Sequence, residues 1–178
     1  MSDVVFIADY NPGWPARYTA EKRRIIRAIG PWAVEIEHVG STSVPGLGAK
    51  PIIDILVGIR SLHDAAHCIE PLHGIGYEYV PEFEAIIPER RYFRRGPQDD
   101  HYHVHMVELT SGFWERHLLF RDYLRAHPET AQEYERLKRE LAAQFGSDRS
   151  GYTDAKTEFI TAIEEKARTE QRRYPAAS

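Results

Sequence analysis

A single aspartate, Asp54, stands within the otherwise apolar run IIDILVGI at residues 52–59. Because this run is apolar at both odd and even positions, it predicts a central strand that is covered on both faces. An unpaired carboxylate in such surroundings is costly, so a metal ion, an arginine or a lysine must compensate it, and Lys50 is the nearest candidate in the sequence. Buried ionisable groups concentrate at functional sites, which makes Asp54 a candidate catalytic residue and metal ligand. The alternative is that Asp54 accepts hydrogen bonds from loop amides at the strand end.

Residues 40–50 (GSTSVPGLGAK), which precede this strand, have the composition of an ordered loop that can bind phosphate. Glycines permit close backbone approach to a ligand, and hydroxyl residues offer hydrogen-bond donors. The candidate phosphate-binding residues of the loop are Gly40, Ser41, Thr42, Ser43 and Lys50. The loop is not a Walker A motif, because Pro51 follows the lysine and leads into a strand instead of a helix. An ordinary, well-packed turn is the alternative.

Three histidines alternate along the segment HYHVH, so an extended chain places His101, His103 and His105 on one face. Imidazoles in this arrangement can bind a transition metal, transfer protons or neutralise a phosphate. We predict that His103 and His105 are catalytic or metal-binding, whereas the case for His101 is weaker. A polar sheet face without any ligand is the alternative.

Four arginines crowd the segment RRYFRR at residues 90–95. On a strand, Arg91 and Arg95 share one face, and Arg90 and Arg94 share the other. One pair can hold phosphates through bidentate contacts, while the other pair keeps an edge strand soluble. The sequence does not say which pair faces the site, and we carry Arg91, Arg94 and Arg95 forward as phosphate-binding candidates.

Composition excludes several classes of protein. The net charge of −4 gives no general attraction to nucleic acid or to anionic membranes. Cys68 is the only cysteine, so an intrachain disulfide and a metal site built on several thiolates are both excluded. The start of the chain lacks the pattern of a secretory signal, and no apolar run approaches the roughly 20 residues of a membrane span. We therefore expect a cytoplasmic protein that is a monomer or a homodimer.

Hydrophobic periodicity predicts an α+β fold, with a short mixed or mostly antiparallel sheet and a helical C-terminal third. The predicted strands cover residues 34–39, 52–59, 77–80, 90–95 and 102–108. The predicted helices cover residues 15–29, 61–72, 112–126, 129–145 and 151–169. We expect an α/β core at residues 1–110, helices at 111–170 packed on it as one compact unit, and a flexible tail at 171–178.

Two patterns in the C-terminal helices bear on the site. Tyr152 and Lys156 have the Tyr-x-x-x-Lys spacing of short-chain dehydrogenases, but no G-x-G-x-x-G follows a strand. We reject that function, although both side chains can line a cleft. The charges of ERLKRE at residues 135–140 are interpreted as a solvated helix face.

The segment EHVGSTSVPGLGAKPIIDILVGI resembles the signature of the GrpB-like family of the nucleotidyltransferase superfamily. The resemblance continues in ERRYFRRG, YHVHMVE, FWERHLLFRDYLRAHPE and YTDAKTEFI, and so extends from Tyr10 to about Ala167. It implies a nucleotidyltransferase-like mixed sheet with flanking helices. In that superfamily a Gly-Ser pair is followed by two carboxylates spaced as Asp-x-Asp, which hold divalent metals and a nucleoside triphosphate.

The sequence departs from the superfamily pattern at the second carboxylate, where it has Leu56. Glu37 can supply the missing oxygen if its strand lies beside Asp54, although its position also suits solvent. His103 and His105 fall where the resemblance places the third carboxylate. This substitution of nitrogen for oxygen moves the expected metal from Mg²⁺ toward Mn²⁺ or Zn²⁺.

The leading hypothesis is therefore a metal-dependent nucleotidyltransferase that transfers a nucleotidyl group from an NTP to an unidentified acceptor. The second is a catalytically depleted module that binds a nucleotide or a partner protein. The third is a metal-dependent phosphohydrolase centred on His103 and His105. Because GrpB-like domains are fused to a coenzyme A biosynthesis kinase in some bacteria, the resemblance also suggests a partner in coenzyme A biosynthesis.

Overall fold

The computed structural model describes residues 5–96 and 101–173, and within these residues five strands form one mixed sheet. The strands are β1 (Glu35–Val39), β2 (Ile52–Ile59), β3 (Glu78–Tyr79), β4 (Arg90–Arg95) and β5 (His101–Glu108). They lie in the order β1-β2-β5-β4-β3, and β2 pairs with β5 in parallel while the other neighbours are antiparallel. The register sets Asp54 opposite His103 and Leu56 opposite His105, so these residues occupy one stretch of the sheet's middle strands.

One face of the sheet is covered by α1 (Trp14–Ile29) and α2 (Ala66–Gly74). Alternate residues of β2 point toward them, because successive side chains of a strand face opposite sides. The resulting core is fully buried and contains Ile25, Ile29, Ile53, Ile55, Val57, Ile59, Cys68 and Leu72. The apolar layer between β2 and the two helices fixes the position of β2 in the fold.

The C-terminal third of the chain supplies the remaining helices. They are α3 (Gly112–Ala126), α4 (Pro128–Phe145), α5 (Arg149–Ala155) and α6 (Thr157–Arg173). Phe113 and Trp114 of α3 pack on Leu56, while Leu124 and Tyr134 bury Val44 and Leu47 of the loop. The loop that precedes β2 is thereby enclosed by helices that come much later in the sequence.

The α+β architecture and most of its elements confirm the sequence predictions, and α3 and β2 have the predicted bounds. The predicted strand at 77–80 is only two residues long, because Pro81 has no N–H for the ladder and opens a 3₁₀ turn. The predicted helix at 151–169 is two helices, since the N–H of Lys156 bonds to the carbonyl of Thr153 in a tighter turn. Of the predicted tail, residues 171–173 belong to α6, and residues 174–178 lie outside the described part of the chain.

Among the helices that are described, none combines the length and the apolar character that a membrane crossing requires.

Candidate functional site

Asp54, His103 and His105 come together on the face of the sheet that packs against α3, opposite the face that α1 and α2 cover. The Oδ1 atom of Asp54 lies 3.1 Å from Nε2 of His105 and 3.5 Å from Nδ1 of His103. All three side chains are only partly exposed, at 28%, 13% and 24% for Asp54, His105 and His103 respectively. The compensation that Asp54 requires thus comes first from two imidazoles on the neighbouring strand.

Burial and these imidazoles act on the Asp54 carboxyl in opposite directions. Burial raises its pKa, but the interactions with His103 and His105 outweigh burial and hold the pKa well below the ordinary value. Burial lowers the pKa of His105, and the neighbouring Asp54 opposes that shift only in part. The carboxylate is therefore ionised at neutral pH and available as an oxygen ligand.

The same three side chains form a group that could hold a single divalent cation. Their ligand atoms, one oxygen and two nitrogens, all lie within 4.8 Å of one another. With metal–ligand bonds of ~2.0–2.2 Å, neighbouring ligand atoms are about 2.8–3.1 Å apart at octahedral angles and about 3.3–3.6 Å apart at tetrahedral angles, and the two distances at Asp54, 3.1 and 3.5 Å, lie in these ranges. A set of one carboxylate and two imidazoles suits Mn²⁺ or Zn²⁺ better than Mg²⁺, which prefers oxygen.

Arg90 sets a condition on metal binding by His105. Its Nη1 atom lies 3.3 Å from Nδ1 of His105, and a guanidinium can only donate hydrogen bonds. Nδ1 therefore accepts, and the imidazole proton is on Nε2, where it points to Asp54. For Nε2 to bind an ion, the proton must move to Nδ1 and Arg90 must turn away, because a metal-binding imidazole donates from its other nitrogen.

A cationic cavity of about 110 Å³ adjoins Asp54, and we call it the lysine cavity. Its charged and polar lining consists of Ser41, Thr42, Lys50, Asp54, Lys138, Tyr152 and Lys156. The ring of Tyr152 is contacted by two ammonium groups, that of Lys50 at 4.4 Å and that of Lys156 at 4.3 Å from its centroid. Cation–π contacts of this kind position ammonium groups without neutralising them.

The lysine cavity has the electrostatics of an anion site. Burial and the nearby Lys156 lower the pKa of Lys138 to about 7, and burial together with Lys50 lowers the pKa of Lys156 to about 8. Within the described residues, no carboxylate lies at ion-pairing distance from Lys138 or Lys156. A bound polyanion would favour both charged forms. Because ligand pockets for whole small molecules measure ~300–1,000 Å³, this cavity suits phosphate groups and leaves the rest of a nucleotide outside.

The loop at residues 40–50 reaches Asp54 through Gly40. This glycine has a φ of 72°, and a Cβ atom there would lie 2.6 Å from Oδ2 of Asp54. Helix α4 fixes the far end of the loop, because Glu135 accepts from the N–H of Gly48 at 2.7 Å and Lys138 donates to its carbonyl. The loop is therefore held in contact with the carboxylate at one end and with α4 at the other.

Two of the three hydroxyl residues of the loop line the lysine cavity, and two of the three brace the loop. Ser41 and Thr42 line the cavity beside Lys50. The hydroxyl of Thr42 donates to the carbonyl of Ile52, and that of Ser43 donates to the carbonyl of Gly40, so both already hold the loop together. Ser43 lies on the wall of a separate cavity of about 730 Å³ across the loop. That larger cavity contains neither Asp54 nor the lysines, and we place the chemistry in the smaller one.

Glu37, Arg91 and Arg95 are candidate residues that the fold directs away from Asp54, and the sequence prediction is corrected for them. Glu37 forms an ion pair with Arg121, whose Nη1 lies 2.5 Å from its Oε2, and so is engaged elsewhere. Arg91 and Arg95 pair in register with Met106 and Tyr102, which places them on the opposite face of the sheet from His103 and His105. They bind Glu84 and Glu21 respectively.

The face of β4 that meets the histidines carries Arg90 and Arg94. Arg94 lies opposite His103 in register, but its guanidinium binds the exposed carboxylate of Glu78 at 2.7 Å. Arg90, which the sequence analysis grouped with Arg94 but did not select as a candidate, contacts His105 directly. His101 shares the face but is not part of the three-residue ligand group.

Lys138 is the site residue that the sequence interpretation missed. The charges of the segment ERLKRE predict a solvated helix face, yet Lys138 is only 2% exposed. Its position follows the buried stripe of α4, since Ala131, Tyr134, Lys138 and Leu141 are all buried at helical spacing. That spacing was visible in the sequence. Tyr152 and Lys156 line the cavity, as their spacing on the C-terminal helices allowed.

Comparison with known proteins places this geometry in context. The model of the GrpB protein family matches residues 4–166. The UPF0157 protein YqkA of Bacillus subtilis is 44% identical over 159 residues, which cover 89% of this chain and 46% of YqkA. The Glutamate-rich protein GrpB of Alkalihalophilus pseudofirmus is 34% identical, with 89% of this chain and 93% of that protein covered. The chain therefore spans about half the length of one relative and nearly all of the other.

Two solved structures are similar to the fold. The crystal structure of the conserved protein GrpB from Enterococcus faecalis matches with a TM-score of 0.83 and 35% identity, covering 93% of this chain and 98% of that one. The Cid1 poly(U) polymerase, solved with Mg and 3'-dATP bound, matches with a TM-score of 0.53 and 15% identity, covering 77% of this chain and 43% of that one. At that identity the second match shows a nucleotidyltransferase-like fold alone.

Proposed function

The chain belongs to the GrpB family, and we propose that it is a metal-dependent nucleotidyltransferase that moves a nucleotidyl group from an NTP to an acceptor. The observation that carries this proposal is the position of Asp54, which belongs both to a metal-ligand group and to the wall of the lysine cavity. Phosphoryl and nucleotidyl transfer depend chiefly on positioning and on neutralising phosphate charge. The nucleotidyltransferase-like fold is consistent with this chemistry.

Each residue has a defined part in the proposal. Asp54, His103 and His105 would hold the divalent ion, which when bound supplies positive charge to the triphosphate. Lys50, Lys138 and Lys156 bind the phosphates, and Ser41 offers a hydroxyl at the same wall. When His105 is not engaged with an ion, its neutral ring can accept a proton from an acceptor hydroxyl or amine.

A binding module without catalysis is the second candidate, and Leu56 is the observation that favours it. Leu56 is fully buried among Val39, Val107, Phe113 and Trp114, so an apolar side chain occupies the position of the second carboxylate. A site with one carboxylate can still bind a metal–nucleotide complex while lacking the second ion. A metal-dependent phosphohydrolase centred on His103 and His105 is the third candidate, favoured by the nitrogen ligands.

A partner in coenzyme A biosynthesis is part of the same proposal. The Dephospho-CoA kinase of Mycolicibacterium paratuberculosis is 30% identical to this chain over 169 residues, which cover 42% of that protein. We infer from this relative that the acceptor is a compound of coenzyme A biosynthesis, or that the partner protein is an enzyme of it.

Calorimetry with ATP, CTP, GTP and UTP, each with Mg²⁺, Mn²⁺ or Zn²⁺, tests the proposal. We expect nucleotide binding that requires the ion and is lost in Asp54→Asn. Asp9→Asn is the matched control, because Asp9 is 96% exposed and lies outside the cavity. Release of pyrophosphate on addition of acceptor candidates must then be measured, since binding alone does not establish transfer.

The outcomes separate the three candidates. Ion-dependent binding without pyrophosphate release in any acceptor screen favours the module. Zn²⁺ binding that is unaffected by nucleotides, together with hydrolysis of a phosphomonoester, favours the hydrolase. Nucleotide binding that persists unchanged in Asp54→Asn contradicts a metal site at Asp54 in every version.

A further inference from the structure

The four arginines of β4 differ in their carboxylate partners. Arg91 binds Glu84 at 3.3 Å, Arg94 binds Glu78 at 2.7 Å and Arg95 binds Glu21 at 2.6 Å. Within the described residues, Arg90 has no carboxylate at ion-pairing distance, and its Nε atom is buried without a hydrogen-bond partner. Arg90 is therefore the one arginine of this strand whose charge no acidic side chain of the described chain neutralises.

Aromatic rings surround the guanidinium of Arg90 instead. Its Cζ atom lies 4.9 Å from the ring centroid of Tyr92, 5.8 Å from that of Phe113 and 5.9 Å from that of Phe83. Ring faces attract a cation but carry no net charge, so the positive charge persists in a half-buried setting. A half-buried, unneutralised guanidinium binds anions more strongly than an exposed one, because water screens it less.

Register places Arg90 and the lysine cavity on opposite sides of Asp54. On β5, His101 pairs with Ile52 and His103 pairs with Asp54 of β2, while Val107 pairs with Arg90 of β4. Lys50 therefore lies near the His101 end of β5, and Arg90 lies near the Val107 end. At ~3.3 Å per residue, about 13 Å of strand separates the row of Asp54 from the row of Arg90. The ring of His105 lies between the two and contacts both Asp54 and Arg90.

We propose that Arg90 binds an acidic group, a phosphate or a carboxylate, of the second substrate, while the lysine cavity binds the phosphates of the first. The identification of this acid as part of a second substrate rests on the proposed nucleotidyl transfer. The anion site at Arg90 does not. Phe83, which is 40% exposed beside Arg90, provides an apolar contact for the body of that substrate.

An NMR titration of the full chain tests the two-site arrangement. The Nε–H signal of Arg90 is identified by its absence in Arg90→Lys, and phenyl phosphate and benzoate are added with and without saturating pyrophosphate. We expect a saturable shift of the Arg90 signal with at least one acid, also when pyrophosphate is already bound. Whichever of the two compounds binds with the higher affinity shows whether the natural group is a phosphate or a carboxylate.

Variants then assign the sites. Arg90→Gln is expected to weaken binding of the acid by about tenfold or more and to leave pyrophosphate binding unchanged. Lys156→Gln is expected to do the reverse. Arg94→Gln is the matched control on the same face, because Arg94 is already paired with Glu78, and it should change neither affinity.

Competition between pyrophosphate and the acid for the Arg90 signal would show one extended polyphosphate site and overturn the proposal. So would the absence of a saturable shift with either acid. If the acid binds at Arg90 but no nucleotide binds with any metal, the proposed transfer fails while the anion site stands.

Discussion

Gly40 shows how narrowly the carboxylate of Asp54 is positioned. Its backbone conformation at φ 72° disfavours any residue with a side chain, and the space for a Cβ atom is already filled by Oδ2 of Asp54 at 2.6 Å. The sequence indicated that glycine permits close approach at this loop. The structure adds that the approaching group is the catalytic candidate itself.

Gly40→Ala is expected to destabilise the protein by about 2–4 kcal/mol, since it combines left-handed strain with a clash against Asp54. Gly46→Ala is the control, because Gly46 has a φ of 79° but nothing within 4 Å of its added Cβ, and it should cost only about 1 kcal/mol. Urea unfolding of both variants measures the difference. Equal losses in the two variants would mean that the contact with Asp54 has no energetic weight.

Strand β2 carries the departure from the two-carboxylate pattern. Leu56→Asp restores the spacing but buries a carboxylate among apolar side chains, and we expect a loss of about 3–5 kcal/mol in the free energy of unfolding. Mn²⁺ should recover part of this loss, because a second carboxylate then lies two residues from Asp54 on the same face. Leu56→Asn controls for polarity without charge. If Mn²⁺ stabilises the Asn variant as much as the Asp variant, the position does not face the ion.

Helices α4 to α6 supply the lysines, and their lowered pKa values predict a pH dependence. Sulfate does not titrate in this range, and its affinity should be at least about tenfold higher at pH 6 than at pH 9. The reason is that Lys138 and Lys156, with pKa values of about 7 and about 8, lose their protons between these two pH values. The neighbouring charged groups are Lys50, Glu135, Arg139 and Asp54. Calorimetry of the wild type and of Lys156→Gln measures the effect, which should be smaller in the variant. Constant affinity across this range would contradict a cationic cavity with these pKa values.

The lowered pKa values of Lys138 and Lys156 also determine whether the free energy of unfolding of the anion-free protein rises or falls with pH. Both lysines have lower pKa values in the folded chain than in the unfolded chain, so the unfolded chain binds more protons above pH 7. Their contribution to the free energy of unfolding therefore rises from pH 7 to pH 9.

Most elements could be predicted from the sequence, whereas the composition of the cavity could not. Helix α3 follows from the helical period of its apolar positions, and strand β2 follows from a continuous apolar run of strand length. The cavity depends on which helix faces the loop, and that is set by tertiary packing between Tyr134 or Leu124 and Leu47. Lys138 could have been found on the buried stripe of α4. The choice of Arg90 over Arg91 required the register of β4 on β5, which sequence alone does not give.

At the scale of the whole molecule, a buried ionic network behind the sheet joins α1 to the strands. Glu21 is only 3% exposed and accepts hydrogen bonds from Tyr77 at 2.9 Å and from Arg95 at 2.6 Å. Arg24 completes the network at 3.0 Å and donates to the carbonyl of Ile75. This network lies on the opposite face from the candidate site and serves stability.

Glu21→Gln is expected to lower the free energy of unfolding by about 3–5 kcal/mol, because it leaves the Arg95 charge half-buried without its partner. Glu78→Gln breaks an exposed ion pair with Arg94, which lies on the same strand as Arg95, and it should leave the free energy of unfolding unchanged within error. Neither change should alter nucleotide binding. A loss of nucleotide affinity in Glu21→Gln at a temperature where the protein remains folded would show that this network also positions the site.

Pulsed electron paramagnetic resonance of Mn²⁺ bound to the protein together with ATP tests the central claim most directly. A single ion held by Asp54 and the histidines, next to phosphates in the lysine cavity, predicts ¹⁴N coupling from imidazole and ³¹P coupling from ATP in one spectrum. The ¹⁴N coupling should weaken or vanish in His103→Ala, and in Lys156→Gln the protein-bound ion should keep its ¹⁴N coupling but lose the ³¹P coupling at ATP concentrations that saturate the wild type. A spectrum with ³¹P coupling but no ¹⁴N coupling in the wild type would place the ion on the nucleotide alone and contradict the account.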